Sequence, residues 1–244
     1  MAKVIATVGG KGGTGKSTCS IQLSIALSKL GYRVLLIDMD EGMRCLDMLL
    51  GVSENLLFDL SDAASGREIE SCVIPINKYK GIDLLAAPPQ KGLVDRESFS
   101  EFLSNLDSKP YDWVVADLPA GTDRELYKSF PADTDFICVC NPNPVSVRDT
   151  RAVSRLLGDI GRRGYLLINK FERFFIKNPV FDNIDDIINE SGLTLIGIVP
   201  HCEAVAFAFL NGKFPTRGKA GRAFNRIAKR LGGKNVPLPK LKNI

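Results

Sequence analysis

The residues best suited to chemistry lie near the start of the chain, in a run of ten residues that contains five glycines. Residues 10–17 read G-x-x-x-x-G-K-S, the spacing of a loop that binds the phosphates of a nucleotide. Glycines let backbone N–H groups turn toward phosphate oxygens, and a helix after the loop adds the positive end of its dipole. Lys16 is therefore predicted to reach the β- and γ-phosphates, and Ser17 to bind Mg²⁺ through its hydroxyl. The nucleotide-binding residues predicted in this run are Gly10, Lys11, Gly12, Gly13, Thr14, Gly15, Lys16, Ser17 and Thr18.

The sequence around this loop supports the interpretation. An apolar run at residues 4–8 predicts a strand directly before the loop. Apolar positions at helical spacing over residues 21–30 predict a helix directly after it, with Gly31 as the C-terminal cap. The alternative is a glycine-rich turn that only connects a strand to a helix. The strand, the loop, the Lys-Ser pair and the helix in register favour phosphate binding.

A second lysine, Lys11, lies inside the loop and gives K-G-G-T-G-K-S over residues 11–17. This run resembles the deviant Walker A signature of the MinD/ParA family of ATPases. The resemblance implies that Lys11 contacts phosphate across the interface of an ATP-bound dimer. There it would stabilise charge on the transferring phosphoryl group, as an arginine finger does, so Lys11 and Lys16 are both expected to act in catalysis. Taken alone, Lys11 could also be a solvated loop lysine.

Short apolar runs alternate with helical patterns along the chain. The predicted strands are residues 4–8, 33–37, 82–86, 113–116, 136–140, 165–168 and 195–199. Continuous apolar runs without polar alternation are typical of strands that are covered on both faces. We therefore predict a single α/β domain over residues 1–244, a doubly wound, mostly parallel sheet with helices on both faces, closed by a helix at about 219–231. The resemblance implies a P-loop NTPase of the SIMIBI type.

Acidic residues follow the second predicted strand, at the sheet edge where ligands gather. The stretch from Asp38 to Asp47 resembles switch I of the family. The resemblance implies that Asp40 polarises the hydrolytic water and that Asp38 lies in the outer shell of the metal. The alternative is an acidic turn that caps the next helix, which we weigh for Asp47 and hardly for Asp38 and Asp40.

Three further strand ends carry candidate residues. Residues 117–121 resemble the Walker B and switch II segment, which implies that Asp117 binds a Mg²⁺-bound water and that the Gly121 N–H approaches the γ-phosphate. A helix N-cap is the alternative for Asp117. Asn169, at the end of its strand, and Pro200, after the last one, are implied to contact the adenine, although Asn169 could also be only a turn residue.

The cysteines indicate a reducing compartment. The six of them show no spacing of a secreted disulfide domain, and neither a signal peptide nor an 18-residue apolar run is seen, so we expect a cytoplasmic protein. Cys138 and Cys140 share one face of a strand and could hold a metal. Their apolar strand favours buried structural cysteines instead. His201 is expected to be a loop residue rather than a base.

The charge of the chain is unevenly distributed. Ten of the 32 basic residues lie after residue 203 and none of the 28 acidic ones does, which leaves the first 203 residues with a formal charge of −6. Such a basic end suggests an anionic partner, either a membrane surface or nucleic acid, or it is simply a solvated face. The resemblance favours the inner face of the cell membrane over nucleic acid. However, Pro237 and Pro239 prevent a regular amphipathic helix in the tail at residues 234–244, so the family's usual membrane anchor is absent or altered.

The resemblance covers nearly the whole chain, including residues 141–149 and 196–200. It implies an ATPase switch in which Mg·ATP drives homodimerisation and hydrolysis reverses it, used to position the cell-division site. Its implied partners are a division inhibitor and an ATPase-stimulating factor. The alternatives are a ParA-like partition ATPase that binds DNA without sequence preference, a MinD-like ATPase that regulates flagellar number, and a scaffold that binds nucleotide but barely hydrolyses it. Cys45 departs from the family pattern, which usually has Asn at this position.

Overall fold

A computed structural model describes residues 2–172 and 183–239 of the chain. Over these residues one sheet contains the strands β1 (Lys3–Val8), β2 (Val34–Asp38), β3 (Ile74–Pro75), β4 (Ile82–Leu85), β5 (Trp113–Asp117), β6 (Asp135–Cys140), β7 (Arg163–Phe171) and β8 (Thr194–Pro200). Their order across the sheet is β3-β4-β2-β5-β1-β6-β7-β8. Neighbouring strands are parallel except for the pair β3 and β4. The predicted mostly parallel sheet is confirmed.

Helices connect these strands in the alternation that the sequence predicts. In the described residues they are α1 (Lys16–Ser28), α2 (Leu46–Leu50), α3 (Leu60–Ala64), α4 (Ile69–Cys72), α5 (Arg96–Asn105), α6 (Arg124–Lys128), α7 (Pro144–Asp159), α8 (Ile184–Ser191), α9 (Glu203–Asn211) and α10 (Gly218–Leu231). Side-chain caps fix several starts: Asp95 accepts hydrogen bonds at the start of α5, and Asn143 does so for α7 directly before Pro144. The predicted closing helix is confirmed as α10.

Helices cover both faces of the sheet, which explains why its strands lack polar alternation. In β1, Ile5 packs into a cluster with residues of α1 and α10, whereas Ala6 packs into the opposite cluster with residues of α5 and α7. Both side chains are fully buried. Gly197 shows how closely α10 approaches β8, since a Cβ at this position would lie 2.4 Å from Cγ1 of Ile227. The polar residues predicted for the site lie at or near the carboxyl ends of the strands, where a ligand can reach them.

The structure differs from the sequence prediction at β7. The predicted strand ends at residue 168, but β7 continues to Phe171, so Asn169 lies within the strand and the predicted end is wrong. The pairing of β7 with β8 is irregular between Ile168 and Phe171, and Lys170 has a left-handed φ of 52°. A bulge of this kind aims side chains away from the ladder. Here it directs Asn169 and Lys170 toward the glycine-rich loop. The edge strand β3 and the helix α9 were not predicted.

Candidate functional site

The glycine-rich loop joins β1 to α1 at the carboxyl edge of the sheet. Gly13 and Gly15 adopt left-handed φ angles of 80° and 95°, which favour glycine. Gly15 is the N-cap of α1 and supplies no side-chain hydrogen bond, and the first turn of α1 holds no acidic residue. The N–H groups at the start of α1 therefore lack a side-chain acceptor from the cap. The loop and the helix end together have the backbone geometry that suits an anion.

Two polar side chains of the loop are buried. Lys16 is only 9% exposed, and Thr14 is 6% exposed. The Thr14 hydroxyl has no hydrogen-bond partner among the described residues. Burying such a hydroxyl without a partner costs about 1–3 kcal/mol, so a ligand that bonds to it is favoured. Gly12 and Gly13 face open space on the outer side of the loop.

Asp117 ends β5 beside the loop and does not cap a helix. One of its carboxylate oxygens accepts hydrogen bonds from Ser20 Oγ at 2.9 Å and from Thr7 Oγ1 at 3.1 Å. Burial raises the pKa of Asp117, while hydrogen bonds from Ser17 and Ser20 and the charge of Lys16 oppose this rise. Asp117 is 2% exposed, and the Ser17 hydroxyl lies close enough to lower its pKa. Hydroxyl and carboxylate oxygens are the ligands that Mg²⁺ prefers, so Ser17 and Asp117 fit a magnesium ion.

Asp38 lies opposite Asp117 on the neighbouring strand β2. Its carboxylate accepts hydrogen bonds from three backbone N–H groups, those of Asp40 at 3.0 Å, Cys45 at 2.9 Å and Leu46 at 3.0 Å. Burial raises the pKa of Asp38 to about 7, with the charge of Asp117 as the second cause. Cys45 is the N-cap of α2 and Leu46 is its first residue, so Asp38 caps this helix from the end of β2. Asp38 therefore makes the capping contacts to which the sequence analysis gave little weight, and its place in the outer shell of the metal stays a prediction.

Asp40 lies two residues after the end of β2. Its side chain is half-buried, and partial desolvation raises its pKa while the charges of Lys16 and Lys91 lower it. The next residue, Glu41, accepts hydrogen bonds from the backbone N–H groups of Gly92 at 2.6 Å and Leu93 at 3.1 Å. These bonds tie the segment after β2 to the loop after β4. Asp40 is thereby held near Lys16 while remaining accessible to water.

Lys11 is paired within the chain. Its Nζ lies 3.6 Å from Oδ2 of Asp149 on α7, and the Lys11 side chain is 59% exposed. The loop packs closely on α7 here, because a Cβ at Gly10 would lie 2.7 Å from Cβ of Asp149. Asp149 is a residue that sequence reasoning did not include in the site, although it lies in the run of residues 141–149. Lys11 is thus held by a weak ion pair with a mostly buried carboxylate rather than being simply solvated.

Gly121 also lies beside the loop, with its backbone engaged. Its φ of 120° is a conformation that glycine adopts readily. Its N–H donates to the Gly9 carbonyl at 3.1 Å, and its carbonyl accepts from the Tyr127 hydroxyl at 2.9 Å. The N–H that was predicted to approach the γ-phosphate therefore bonds to the loop in this structure. Gly121 could reach a phosphate only after the segment at residues 117–121 had moved.

A cavity of about 460 Å³ opens beside the loop and α1. It brings together Lys16, Ser17 and Thr18 with the predicted adenine contacts Asn169 and Pro200. Further lining residues that sequence reasoning missed are Leu49, Val199, Cys202, Val205, Ala206 and Phe224. Most of these side chains are apolar, which suits the faces of a flat base. No local motif marks them, because they come from α2, β8, the start of α9 and α10, with Cys202 directly before α9.

Asn169 supports the loop directly. Its Nδ2 donates to the Thr14 carbonyl at 2.9 Å, and Lys170 Nζ donates to the Gly13 carbonyl at the same distance. A Cβ at Gly15 would lie 2.4 Å from Asn169 Nδ2, so only glycine fits there. Asn169 is 7% exposed. It is therefore more than a turn residue, because it fixes the shape of the phosphate loop from the adjacent strand.

The cysteines lie in different surroundings. Cys45 Sγ is 3.5 Å from Ser17 Oγ, and burial raises the pKa of the Cys45 thiol to about 12. Cys138 and Cys140 are buried in β6, and burial raises the pKa of both thiols. Among residues 2–172 and 183–239, no group of three or more His, Cys, Asp or Glu side chains could hold a metal ion. His201 is exposed and pairs with Glu172, Nδ1 to Oε1 at 2.7 Å.

The apolar face of α10 belongs to the core. Phe224, Ile227, Ala228 and Leu231 are all at most 9% exposed, as predicted for a core helix. The residues that follow, Lys234–Pro239, form neither helix nor strand, and residues 240–244 of the predicted tail lie outside the described part of the chain. None of the described helices is long and apolar enough to cross a bilayer.

Several known proteins are similar to this chain in sequence and in fold. Residues 5–216 match the family model described as the CobQ/CobB/MinD/ParA nucleotide binding domain. The putative septum site-determining protein MinD of Guillardia theta is 31% identical over 97% of this chain and 90% of its own length. The MinC:MinD cell division protein complex of Aquifex aeolicus contains a chain that is 30% identical, with a TM-score of 0.83, over 98% of this chain and 99% of that one. The septum site-determining protein MinD complexed with Mg-ADP from Pyrococcus horikoshii is 25% identical, with a TM-score of 0.80, over 95% and 96% of the two chains.

Proposed function

The chain belongs to the CobQ/CobB/MinD/ParA nucleotide-binding domain family, and from this premise we propose that it is a MinD-like ATPase switch that acts in the placement of the cell-division site. The observation that carries the proposal is the phosphate loop itself. It presents the buried Lys16, an unpartnered Thr14 hydroxyl and an uncapped helix start next to the carboxylate of Asp117. Such a site binds the triphosphate of a nucleotide together with Mg²⁺.

Each residue of the site has a role in binding. Lys16 would neutralise the β- and γ-phosphates, and the Thr14 hydroxyl would gain its missing partner. The Ser17 hydroxyl and the Asp117 carboxylate would hold Mg²⁺ directly or through water. When bound, this ion spreads the negative charge of the phosphates. Asn169 and Lys170 would keep the loop in its binding shape, and the apolar cavity beside Pro200 would hold the adenine.

Hydrolysis would depend on Asp40 and Lys11. Asp40 is accessible to water and lies close enough to Lys16 to sense its charge, so it is suited to orient the attacking water toward the γ-phosphate. Asp38 would act indirectly, because its three backbone hydrogen bonds fix the segment that carries Asp40. Asp38 would also lie in the outer shell of the metal.

Lys11 would work across a dimer. Its side chain is 59% exposed, and its partner Asp149 lies on the same chain. A single ion pair at 3.6 Å whose lysine is mostly exposed contributes about 1 kcal/mol or less, so Lys11 could exchange it for a phosphate of a second protomer. ATP would then favour the dimer, and hydrolysis would release it. A division inhibitor of the MinC kind and an ATPase-stimulating factor are the partners that we propose for the dimer.

The test compares nucleotide states of the full-length chain. Light scattering is measured with ATP, ADP and no nucleotide, in parallel with the release of inorganic phosphate. We expect a dimer only with ATP and turnover that requires Mg²⁺. Lys11→Ala should bind ATP but lose both the dimer and turnover, whereas Lys80→Ala, an exposed lysine outside the site, should behave as the wild type. A monomer in every nucleotide state, with no phosphate release, would contradict the proposal.

A further inference from the structure

Helix α9 exposes apolar side chains that the nucleotide site does not use. After Glu203 its sequence reads A-V-A-F-A-F-L. Phe207 is 61% exposed and Leu210 is 81% exposed, and the two lie three residues apart on one side of the helix. Among the described helices, α9 is the one that exposes two large apolar side chains. We refer to Phe207 and Leu210 as the α9 patch.

The body of the protein holds the α9 patch in place. Lys78 Nζ donates to the Leu50 carbonyl at 3.2 Å and to the Asn211 carbonyl at 3.4 Å, which ties the ends of α2 and α9 together. Directly after α9, the Phe214 N–H donates to the Tyr79 hydroxyl at 2.6 Å. On the inner side of the helix, Ala208 is 1% exposed. The apolar exposure is therefore a fixed feature of the surface.

Cations surround the C-terminal end of the α9 patch. Lys213 and Arg217 follow the helix and are exposed, and Lys78 lies at its end. Residues 204–244 contain ten basic and no acidic residues. Glu203, the acidic residue of α9, is the first residue of the helix and lies one turn before Phe207. A short apolar surface bordered by cations is the combination that binds at the headgroup level of an anionic bilayer.

The charges decide between the occupants of this surface. A second copy of the chain packed symmetrically on the α9 patch would bring the Lys213 and Arg217 side chains of both copies together, and like charges at an interface are unfavourable. Nucleic acid would pair with these cations, and a base could stack on Phe207, but the aliphatic Leu210 would remain in water. An anionic lipid bilayer can contact both parts of this surface at once, the apolar side chains through its acyl chains and the cations through its phosphates.

Within the described part of the chain, α10 and residues 234–239 do not offer the same helical surface. The apolar face of α10 is buried in the core. Residues 234–239 are not helical, and Pro237 and Pro239 prevent a regular helix there. We propose that α9 contacts an anionic membrane, with Phe207 and Leu210 entering the boundary between headgroups and acyl chains and Lys213 and Arg217 pairing with lipid phosphates. The inference rests on the proposed ATPase switch only for its nucleotide dependence, since a dimer would present two α9 patches.

The helix also connects this surface to the nucleotide. Val205 and Ala206 line the cavity beside the phosphate loop, and Ala206 is exposed on the same side of the helix as Leu210, four residues later. A nucleotide in the cavity would therefore pack against the helix beside the α9 patch. Membrane contact and nucleotide binding would therefore act on one rigid element.

The experiment is co-sedimentation of the full-length chain with vesicles, with and without ATP. One set of vesicles contains equal parts of phosphatidylglycerol and phosphatidylcholine, and the other contains phosphatidylcholine alone. We expect Phe207→Ser and Leu210→Ser each to weaken binding to the anionic vesicles by about tenfold or more, since each removes a large apolar group from the contact. Val145→Ser is the matched control, because Val145 is an exposed apolar residue on α7, 48% exposed. It should bind as the wild type does.

A second measurement reports insertion directly. Leu210→Trp should show a blue shift of its fluorescence on the anionic vesicles, whereas Val145→Trp should show none. Trp113, the single native tryptophan, is 2% exposed and gives a constant background. An absence of the shift, or wild-type vesicle binding by both serine variants, would overturn the proposal.

Controls separate the membrane contact from the switch. ATP turnover and ATP-dependent dimerisation are measured for Phe207→Ser, and both should be unchanged. If this variant loses the dimer, the α9 patch is a contact between two copies and the membrane proposal is wrong. If the wild type neither dimerises nor hydrolyses ATP, the proposed function fails, and the comparison of vesicles without nucleotide still tests the α9 patch.

Discussion

The phosphate loop and the C-terminal region both present positive charge, but in opposite surroundings. Lys16 is 9% exposed and lies among buried polar groups. The cations after residue 203, such as Lys213, Arg217 and Arg222, are exposed to water. A buried charge acts at one fixed place and is screened little by salt, whereas exposed charges act over about 8–10 Å and weaken as salt rises. The first arrangement suits recognition of one ligand, and the second suits attraction to an extended surface.

Arg230 shows that position in the sequence does not decide which arrangement a cation adopts. Its Nε donates to the Val236 carbonyl at 2.7 Å, and its Nη1 donates to the Ile196 carbonyl. Arg230 therefore fastens the start of the tail to β8. Arg230 therefore has a structural role, and not all ten C-terminal basic residues are free to contact an anionic partner.

The largest effect is expected at Lys16. Lys16→Ala removes the buried cation that faces the phosphates, so ATP affinity should fall by about 4 kcal/mol, or ~1,000-fold. Calorimetric titration with ATP measures this change. Lys80→Ala, which removes an exposed lysine, should leave the affinity unchanged. Wild-type affinity in Lys16→Ala would remove the loop from the nucleotide site.

The next effect is expected on turnover. Asp40→Ala should bind ATP normally but hydrolyse it about 100-fold more slowly, because the attacking water loses its orienting carboxylate. The ATP-bound dimer should then persist, which light scattering detects. Asp107→Ala provides a control at an exposed carboxylate in the turn at Leu106–Ser108. An unchanged rate in Asp40→Ala would mean that another residue positions the water.

A third effect tests the buried carboxylates that face the loop. Because folding raises the pKa of Asp38 to about 7, the folded chain keeps this proton over a pH range in which the unfolded chain has lost it. The free energy of unfolding of the ligand-free protein should therefore fall as the pH rises, by about 2.5 kcal/mol between about pH 5 and pH 8. Asp38→Asn should flatten this part of the profile, as urea unfolding over the pH series would show. An equal slope in both proteins would place the titration elsewhere.

The smallest effect is expected in the exposed C-terminal region. Deleting residues 234–244 removes three lysines, and binding to anionic vesicles should weaken by about tenfold or less, since Lys213, Arg217 and Arg222 remain. Both the full-length and the shortened chain should bind less as salt is raised. Flotation over a salt series measures this. ATP-dependent binding to DNA without any binding to vesicles would instead indicate a partition ATPase.

Some features of the site could be predicted because they are local. The glycine spacing, the Lys-Ser pair and the flanking apolar runs are contiguous, so the loop and its place between β1 and α1 follow from residues 4–30 alone. The position of Asp117 could be predicted for the same reason, because this residue directly follows an apolar run that ends at the sheet edge. Helix α9 was missed because its sequence is apolar on nearly every side, which gives no helical alternation to detect.

Strand ends were harder to predict. The apolar run at residues 165–168 suggests that β7 stops before Asn169, but backbone pairing with β8 carries the strand on to Phe171. Pairing with a neighbour, rather than local hydrophobicity, sets this boundary. The same holds for Asp38, whose capping of α2 depends on how the chain folds back after β2.

The sequence by itself determined the phosphate loop, the alternation of strands and helices, and the basic C-terminal region, because each depends on residues that are neighbours in the chain. The tertiary structure alone decided which distant groups meet. It joins Asn169 to the carbonyl of Thr14, 155 residues earlier, and Lys11 to Asp149 on α7. It also separates the buried face of α10 from the exposed α9 patch. Such contacts depend on the packing of whole elements, and no local spacing encodes them.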